Sequence, residues 1–226
     1  MSNIGTLNEK PLHASLKKWY AQPGDQIEVK VEGFVIDIVQ GDLLVEIQTG
    51  NFASIKPKLN KLLSSHSVRL VYPIAYEKWI VKLPKNVGGE ITRRKSPKRG
   101  RVEEVFGEMV SFPQLLENSN FSLEVLMTKE EEFWQYEGKR KWRRKGWGIK
   151  ERRLLEVVDQ ILFEDPADWH TLLPRGMGEF TGKDLAERMG IRKQLSQKMA
   201  YCLRKANIIK LTGKRGRANL YEVSGT

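Results

Sequence analysis

Three carboxylate side chains, those of Glu28, Asp37 and Glu46, lie in three consecutive strand-like runs of the sequence. Two carboxylates about 4 Å apart repel each other by roughly 4 kcal/mol at an effective dielectric constant of 20. A row of them in a sheet is therefore unfavourable unless a cation compensates it. Mg²⁺ or Mn²⁺ can do so, because hard cations are held by carboxylates, water and phosphate oxygens and can activate water against a phosphodiester. These residues therefore indicate a hard-cation site with hydrolytic chemistry.

Two predicted hairpins place these carboxylates side by side. The strand-like runs cover residues 27–31, 34–40 and 43–48, separated by Glu32-Gly33 and Gly41-Asp42. Each separator is a two-residue hairpin signal. Pairing across these turns puts Asp37 opposite Glu28 on one neighbour and opposite Glu46 on the other, with Gln48 on the face of Glu46. The alternatives are a wrong register, a bulge between the strands, or a Glu28 side chain that simply faces solvent on an edge strand.

The surrounding elements predict a mixed α/β domain. Apolar residues at helical spacing indicate a first helix at about 12–20, ended by Pro23-Gly24-Asp25. A second helix is expected over about 55–63, and further strands over 68–72 and 79–83. The second and third strands are largely apolar on both faces, so helices should cover the sheet on both sides.

A family resemblance starts from two short segments. Gly33-Phe34-Val35-Ile36-Asp37, a turn, and Leu44-Val45-Glu46-Ile47-Gln48 resemble the core of the PD-(D/E)XK nuclease superfamily, which includes Holliday-junction resolvases and many restriction endonucleases. The resemblance covers about residues 7–85. It implies a restriction-endonuclease-like αβββαβ core, Mg²⁺-dependent phosphodiester hydrolysis and metal ligation by Asp37 and Glu46. The backbone carbonyl of Ile47 would also fall within reach of the metal.

The sequence departs from this family at one position. Gln48 stands where the family usually has a lysine, and glutamine can orient water but carries no charge. Lys56 or Lys58 can supply a cation, although a solvated helix face is the favoured interpretation of both. Glu9 is the candidate for a further acidic residue on the first helix, with a helix-terminal role as the alternative. His13 either faces the site or is a buried core residue.

The positive charge is concentrated in the C-terminal part. The 226 residues carry a net charge of +11, and residues 139–226 hold 21 basic and 10 acidic residues against 18 and 18 in residues 1–138. A field of this kind suits a polyanion such as nucleic acid. With one cysteine, Cys202, the sequence excludes a disulfide framework. No apolar run approaches a membrane span and no signal peptide is evident, so a cytoplasmic location is expected.

Two basic segments divide the sequence. Residues 93–101 are broken by proline and glycine and predict a loop. Residues 139–149 predict a basic linker whose Trp142 and Trp147 either stack on unpaired bases or pack onto a domain. Residues 102–138 between them contain nine glutamates and one lysine, and they either pair with the basic segments or form solvated structure.

Residues 150–226 predict a helical DNA-binding domain. The expected elements are helices at about 154–162, 182–190 and 192–205 and strands at 208–212 and 219–223. Three helices followed by a β-hairpin resemble a winged helix-turn-helix domain. This resemblance implies that the third helix enters the major groove and that the hairpin touches phosphates or the minor groove. The implied DNA-binding residues are Arg192, Lys193, Gln194, Ser196, Gln197, Lys198, Lys214, Arg215 and Arg217.

Together these observations predict a metal-dependent DNA endonuclease. Residues 1–138 would form the nuclease-like domain, 139–149 the linker and 150–226 the winged-helix domain. The expected partner is duplex or branched DNA, and a homodimer would allow two cuts in a duplex. The alternative is a non-catalytic DNA-binding regulator built on a degenerate nuclease core. RNA processing is a weaker alternative, because charge does not distinguish the two nucleic acids. A membrane-surface role is least favoured.

Overall fold

A mixed seven-stranded sheet dominates the computed structural model, which describes residues 10–86, 88–138 and 145–224. Its strands are β1 (Gln26–Val31), β2 (Phe34–Gln40), β3 (Leu43–Ile47), β4 (Ser67–Lys82), β5 (Thr92–Lys95), β6 (Phe121–Tyr136) and β7 (Trp147–Phe163). They lie in the order β1-β2-β3-β4-β6-β7, with β5 against β4. The strand β4 is parallel to both β3 and β6, and the other neighbours are antiparallel. The mixed α/β class is therefore confirmed.

The two N-terminal hairpins form as predicted. Glu32 and Gly33 both have positive φ, 48° and 86°, as a type I′ turn requires. Gly41 opens the second turn with a φ of 58°. The recorded pairs of β1 with β2 and of β2 with β3 follow the predicted register, so the relative positions of the three strands are confirmed.

Two helices cover opposite faces of the sheet, as expected. The helix α1 (Pro11–Tyr20) begins with a proline, which loses no hydrogen bond at the first helical position. Its Leu16 packs in one cluster with Val45, whereas α2 (Lys56–Leu62) shares a second cluster with Leu44. Successive residues of β3 point to opposite faces, so the helices lie on opposite sides. In the described part of the chain, no helix is long and apolar enough to cross a membrane.

The strands β4, β6 and β7 continue beyond the end of β3. We call the projecting part, residues 76–82, 129–136 and 147–154 together with β5, the arm. One continuous β4 replaces the two strands expected at 68–72 and 79–83. The strand continues through Pro73, because β3 pairs only as far as Val71 and the missing N–H faces no strand.

The helix predicted over residues 154–162 is wrong, because these residues belong to β7. The register between β6 and β7 shifts at three places, each adding one residue to β7. Such bulges break the two-residue alternation of a strand and leave apolar pairs at a spacing that resembles a helix. The large sheet therefore continues past residue 150, where the domain boundary was placed. Residues 139–144 of the predicted linker, including Trp142, lie outside the described residues.

The acidic region 102–138 pairs with the first basic segment and with Arg152 of β7. It contains short helical turns at Val102–Val105 and Pro113–Glu117, the helix α3 (Phe106–Met109) and the strand β6. Glu131 accepts a hydrogen bond from Arg93 at 2.7 Å, and Glu130 accepts two from Arg152 at 2.7 and 2.9 Å. Part of the predicted loop 93–101 is therefore the strand β5 rather than a loop.

The C-terminal residues form a smaller unit on the same hydrophobic core. Its elements are β8 (Phe180–Thr181), α4 (Gly182–Met189), α5 (Lys193–Lys205), β9 (Ile209–Arg215) and β10 (Ala218–Val223), with β10 central in its sheet. Thr181 caps α4, and Gly190 ends it with a φ of 63°, as predicted. In the segment between β7 and β8, the ring of Trp169 stacks on the ring of Phe163, and the two ring centroids are 4.2 Å apart. The buried cluster of α3 and β6 thus continues into this unit.

Candidate functional site

Asp37 lies where β2 and β3 part. The recorded pairing of the two strands runs from their turn as far as Ile38 and Val45. Beyond this last pair, the backbone N–H of Ile47 donates a hydrogen bond to Asp37 Oδ2 at 2.8 Å instead of to the backbone of β2. His13 of α1 places Nε2 3.1 Å from the same oxygen. Burial alone would raise the pKa of Asp37, but the hydrogen bond and charge of His13, with the Ile47 N–H, hold that pKa below its ordinary value.

Glu46 is the second carboxylate of the site, and unlike Asp37 it is buried, with 4% exposure. The ammonium group of Lys58 contacts its Oε1, and the same ammonium donates to the backbone oxygen of Val35 at 2.6 Å. Burial raises the pKa of Glu46 to about 7; the charge of Lys58 lowers this pKa and the charge of Asp37 raises it. Asp37 and Glu46 therefore repel each other electrostatically, and the positive charge of Lys58 partly compensates the two carboxylates.

Two other members of the predicted site, Glu28 and Gln48, make contacts of their own. Glu28 lies between two residues that pair as predicted, but it forms no recorded pair itself and has a φ of 55°. Its exposed carboxylate accepts a hydrogen bond from Lys17 at 2.6 Å. The Gln48 amide donates to the backbone oxygens of Gly50 at 2.5 Å and Asn51 at 3.2 Å, which fixes the following loop. Glu9 lies outside the described residues. The three-carboxylate row is thus reduced to two.

Lys58 is the residue that the sequence analysis undervalued. A solvated helix face was the favoured interpretation, but its side chain is only 16% exposed. The signal was present in the sequence: Pro57 marks the first turn of α2, and a lysine in the first turn is unfavourable beside the helix dipole unless an acid lies nearby. That acid is Glu46.

The donor set suits a hard cation. Two carboxylates on adjacent strands are ligands that Mg²⁺ accepts, with water and phosphate oxygens completing its shell. Lys58 contacts Glu46 Oε1, so a cation that binds this carboxylate would share or displace that contact. Within residues 10–86, 88–138 and 145–224, no group of three or more His, Cys, Asp or Glu side chains is placed to hold a metal.

A basic groove forms a second candidate site in the C-terminal unit. It has a volume of about 710 Å³ and lies between the start of α4, the helix α5 and the β9–β10 hairpin. Lys193, Arg215 and Arg217 line it, together with Lys183, which the sequence analysis did not select. Asp184 is its acidic member and is paired with Arg215 at 2.9 Å.

Most of the predicted DNA-binding residues are accessible, with one correction. Exposed positions are Arg192, Lys193, Gln194, Gln197, Lys214, Arg215 and Arg217. Ser196 is fully buried and donates to the carbonyl of Gly182 at 2.6 Å, so its selection as a DNA contact is wrong. Lys198 is exposed, but its ammonium donates to the carbonyl of Gly107 at 3.0 Å and joins α5 to the larger unit.

The fold and the two sites define a mixed α/β protein. It combines a pair of neighbouring carboxylates with a basic unit made of helices and a β-hairpin. The chain belongs to the family described as a domain of unknown function, DUF8091, which matches residues 10–164 and so takes in the whole large sheet. It is similar to an uncharacterized protein of Treponema pallidum (strain Nichols), 31% identical over 221 residues, which cover 96% of this chain and 86% of the relative. No solved structure shows a significant match.

Proposed function

We propose that this protein is a metal-dependent endonuclease that hydrolyses phosphodiester bonds in DNA. The observation that carries the proposal is the carboxylate pair at the parting ends of β2 and β3, half-buried Asp37 and buried Glu46, with Lys58 in contact with Glu46. The order α1, β1, β2, β3, α2, β4, with β4 parallel to β3, supports it. This is the αβββαβ arrangement that the PD-(D/E)XK resemblance implies.

Each residue of the pair has a proposed role. Asp37 and Glu46 would hold Mg²⁺ or Mn²⁺, which when bound supplies charge neutralisation and an acidified water. Lys58 would stabilise negative charge on the phosphate, the task that the family assigns to the position of Gln48. His13 is a positioning residue, because it contacts Asp37 and keeps that carboxylate ionised and oriented.

The C-terminal unit would deliver duplex DNA. The sequence β8, α4, α5, β9, β10 supports a winged-helix assignment, since a helix pair is followed by a β-hairpin beside it. The same basic groove is lined by Lys193 and Gln197 of α5 and by Arg217 in the β9–β10 hairpin. Such a surface can accept a phosphate backbone while the helix approaches base edges.

A non-catalytic regulator is the second candidate. It is favoured by the Gln48 amide, which is engaged with the 50–51 backbone, and by Lys58, which already balances the charge of Glu46. A buried ion pair of this kind can remain as a structural element after catalysis is lost.

A cleavage assay distinguishes the candidates. Wild type, Asp37→Asn, Glu46→Gln and the matched control Glu28→Gln, from the exposed end of the row, would be incubated with linear, supercoiled, branched and single-stranded DNA. The endonuclease proposal expects cutting that requires Mg²⁺ or Mn²⁺, stops with EDTA, is lost in the first two variants and persists in the control. Tight DNA binding without cutting by wild type, equal in all variants, would establish the regulator instead.

A further inference from the structure

Two aromatic rings and two lysines form a compact group at the end of the arm. We call Lys82, Lys85, Tyr136 and Trp147 the tip cluster. The ammonium of Lys82 lies 4.8 Å from the centroid of the Trp147 ring, and that of Lys85 lies 4.4 Å from the Tyr136 centroid. The two rings pair across β6 and β7 with centroids 5.7 Å apart and planes at 72°. Ring faces and cations therefore occupy one surface.

Gly146, the residue directly before β7, lies against this cluster. Gly146 has a φ of 88°, and a Cβ added there would lie 2.4 Å from Cε2 of Tyr136. Only glycine allows the backbone to approach the ring so closely. A tyrosine at the end of a strand can bury its ring, but the side chain of Tyr136 is 41% exposed. The cluster thus holds an aromatic surface in contact with solvent.

The lysines of the tip cluster differ in their pairing from the two cations that lie over the other aromatic ring of the arm. Arg93 and Lys95 lie over Trp79, but they also form ion pairs with Glu131 at 2.7 Å and Glu77 at 2.8 Å. Lys82 and Lys85 form no ion pair with any residue in the described part of the chain. Their positive charge remains available to an anionic partner.

We propose that the tip cluster binds an unpaired segment of a nucleic-acid strand. Bases would stack on Tyr136 and Trp147, while Lys82 and Lys85 would contact phosphates. An unpaired strand uses both features, because its bases are free to stack and its backbone is anionic. A duplex keeps its base faces covered, and an acidic peptide would use the lysines but leave the rings exposed.

This inference rests on the proposed function and narrows its substrate. A protein that holds a duplex in the C-terminal groove and an unpaired strand at the arm would select DNA in which the two adjoin, such as a flap, a fork or a branched junction. The contacts at the tip do not involve Asp37 or Glu46, so they can be tested without cleavage.

The test is fluorescence anisotropy with a labelled oligo-dT and with a labelled duplex, in EDTA. The proteins are wild type, Tyr136→Ala, Lys85→Met and Trp19→Ala, the last a matched control because Trp19 is a 40% exposed aromatic on α1. We expect Tyr136→Ala to weaken oligo-dT binding at least about fivefold, as loss of one stacked base does. Lys85→Met should weaken it and reduce the salt dependence by about 0.7 in the log–log slope. Duplex binding should stay unchanged in both.

Two results would overturn the proposal. One is oligo-dT affinity in Tyr136→Ala and Lys85→Met equal to that of wild type and Trp19→Ala, with all four proteins folded by circular dichroism. The other is wild-type protein that binds duplex but not oligo-dT. Failure of the nuclease proposal looks different, because absence of cutting with intact, tip-dependent oligo-dT binding would leave the strand-binding surface standing.

Discussion

Glu46 couples the stability of the fold to pH, because its side chain is buried beside Asp37. Its pKa is about 7 in the folded protein against an ordinary value of 4.5. A group with a raised folded pKa contributes stability that is fully present below the unfolded pKa and is lost as the pH rises through the folded pKa. At about 1.4 kcal/mol per pH unit, the interval from 4.5 to about 7 corresponds to roughly 3 kcal/mol.

The substitution Glu46→Gln isolates this contribution, since the amide does not ionise. We expect the free energy of unfolding of the variant, relative to wild type, to rise by about 3 kcal/mol between about pH 4 and pH 8. The packing change and the altered contact with Lys58 are present at both pH values, so they largely cancel in this comparison. Urea unfolding followed by tryptophan fluorescence, in EDTA, measures it. A difference between the two proteins that stays constant with pH would refute the reasoning.

Adding Mg²⁺ at about pH 8 extends the same experiment. A cation at ten times its dissociation constant stabilises the folded state by about 1.4 kcal/mol. Wild type should gain this stability and Glu46→Gln should not. Equal shifts in both proteins would show that the cation binds elsewhere.

Four other substitutions and reagents probe separate parts of the molecule. Lys58→Met should reduce cleavage by two orders of magnitude or more, roughly the value of one preorganised charged group, while duplex affinity in EDTA stays at the wild-type level. Arg217→Ala should weaken duplex binding similarly for all sequences and lower the salt slope by about 1; an unchanged slope would remove it from the interface. Cys202, whose pKa burial raises to about 12, should react with a thiol reagent only after unfolding, and rapid labelling of the native protein would contradict its burial. Leu16→Ala should cost about 2–5 kcal/mol in urea unfolding, because Leu16 is fully buried between α1 and the sheet; a loss below about 1 kcal/mol would show that α1 is not docked as described.

The N-terminal strands could be predicted because short turns fix register. Two-residue turns leave one pairing that keeps alternate residues on the same face, so the position of Asp37 against its neighbours followed from the location of Gly33 and Gly41. The helices α4 and α5 could be predicted equally well, since Thr181 and Gly190 are strong signals of a helix boundary. Local chemistry determined these elements.

The strand β7 could not be predicted from its own sequence. Its bulged positions, Lys150, Leu155 and Val158, are extra residues relative to β6, and nothing in their local sequence marks them as such. The pairing partner decides where alternation is broken, and that partner is distant in the chain. For Lys58 the sequence carried only half of the information. Its place in the first turn of α2 indicated that an acid lies nearby, but which acid depends on how α2 docks after β3.

The contact between the two units sets a length scale for the proposed reaction. Lys198 bonds to the Gly107 carbonyl, and the Arg101 side chain donates to the carbonyl of Met189 at 2.8 Å, so the unit that carries the basic groove is tied to the sheet that carries the carboxylates. DNA held in that groove would meet the carboxylates at one fixed offset along its path. The protein would then act as a ruler, and cut positions mapped at nucleotide resolution would fall at a constant distance from the bound segment rather than spread along the strand.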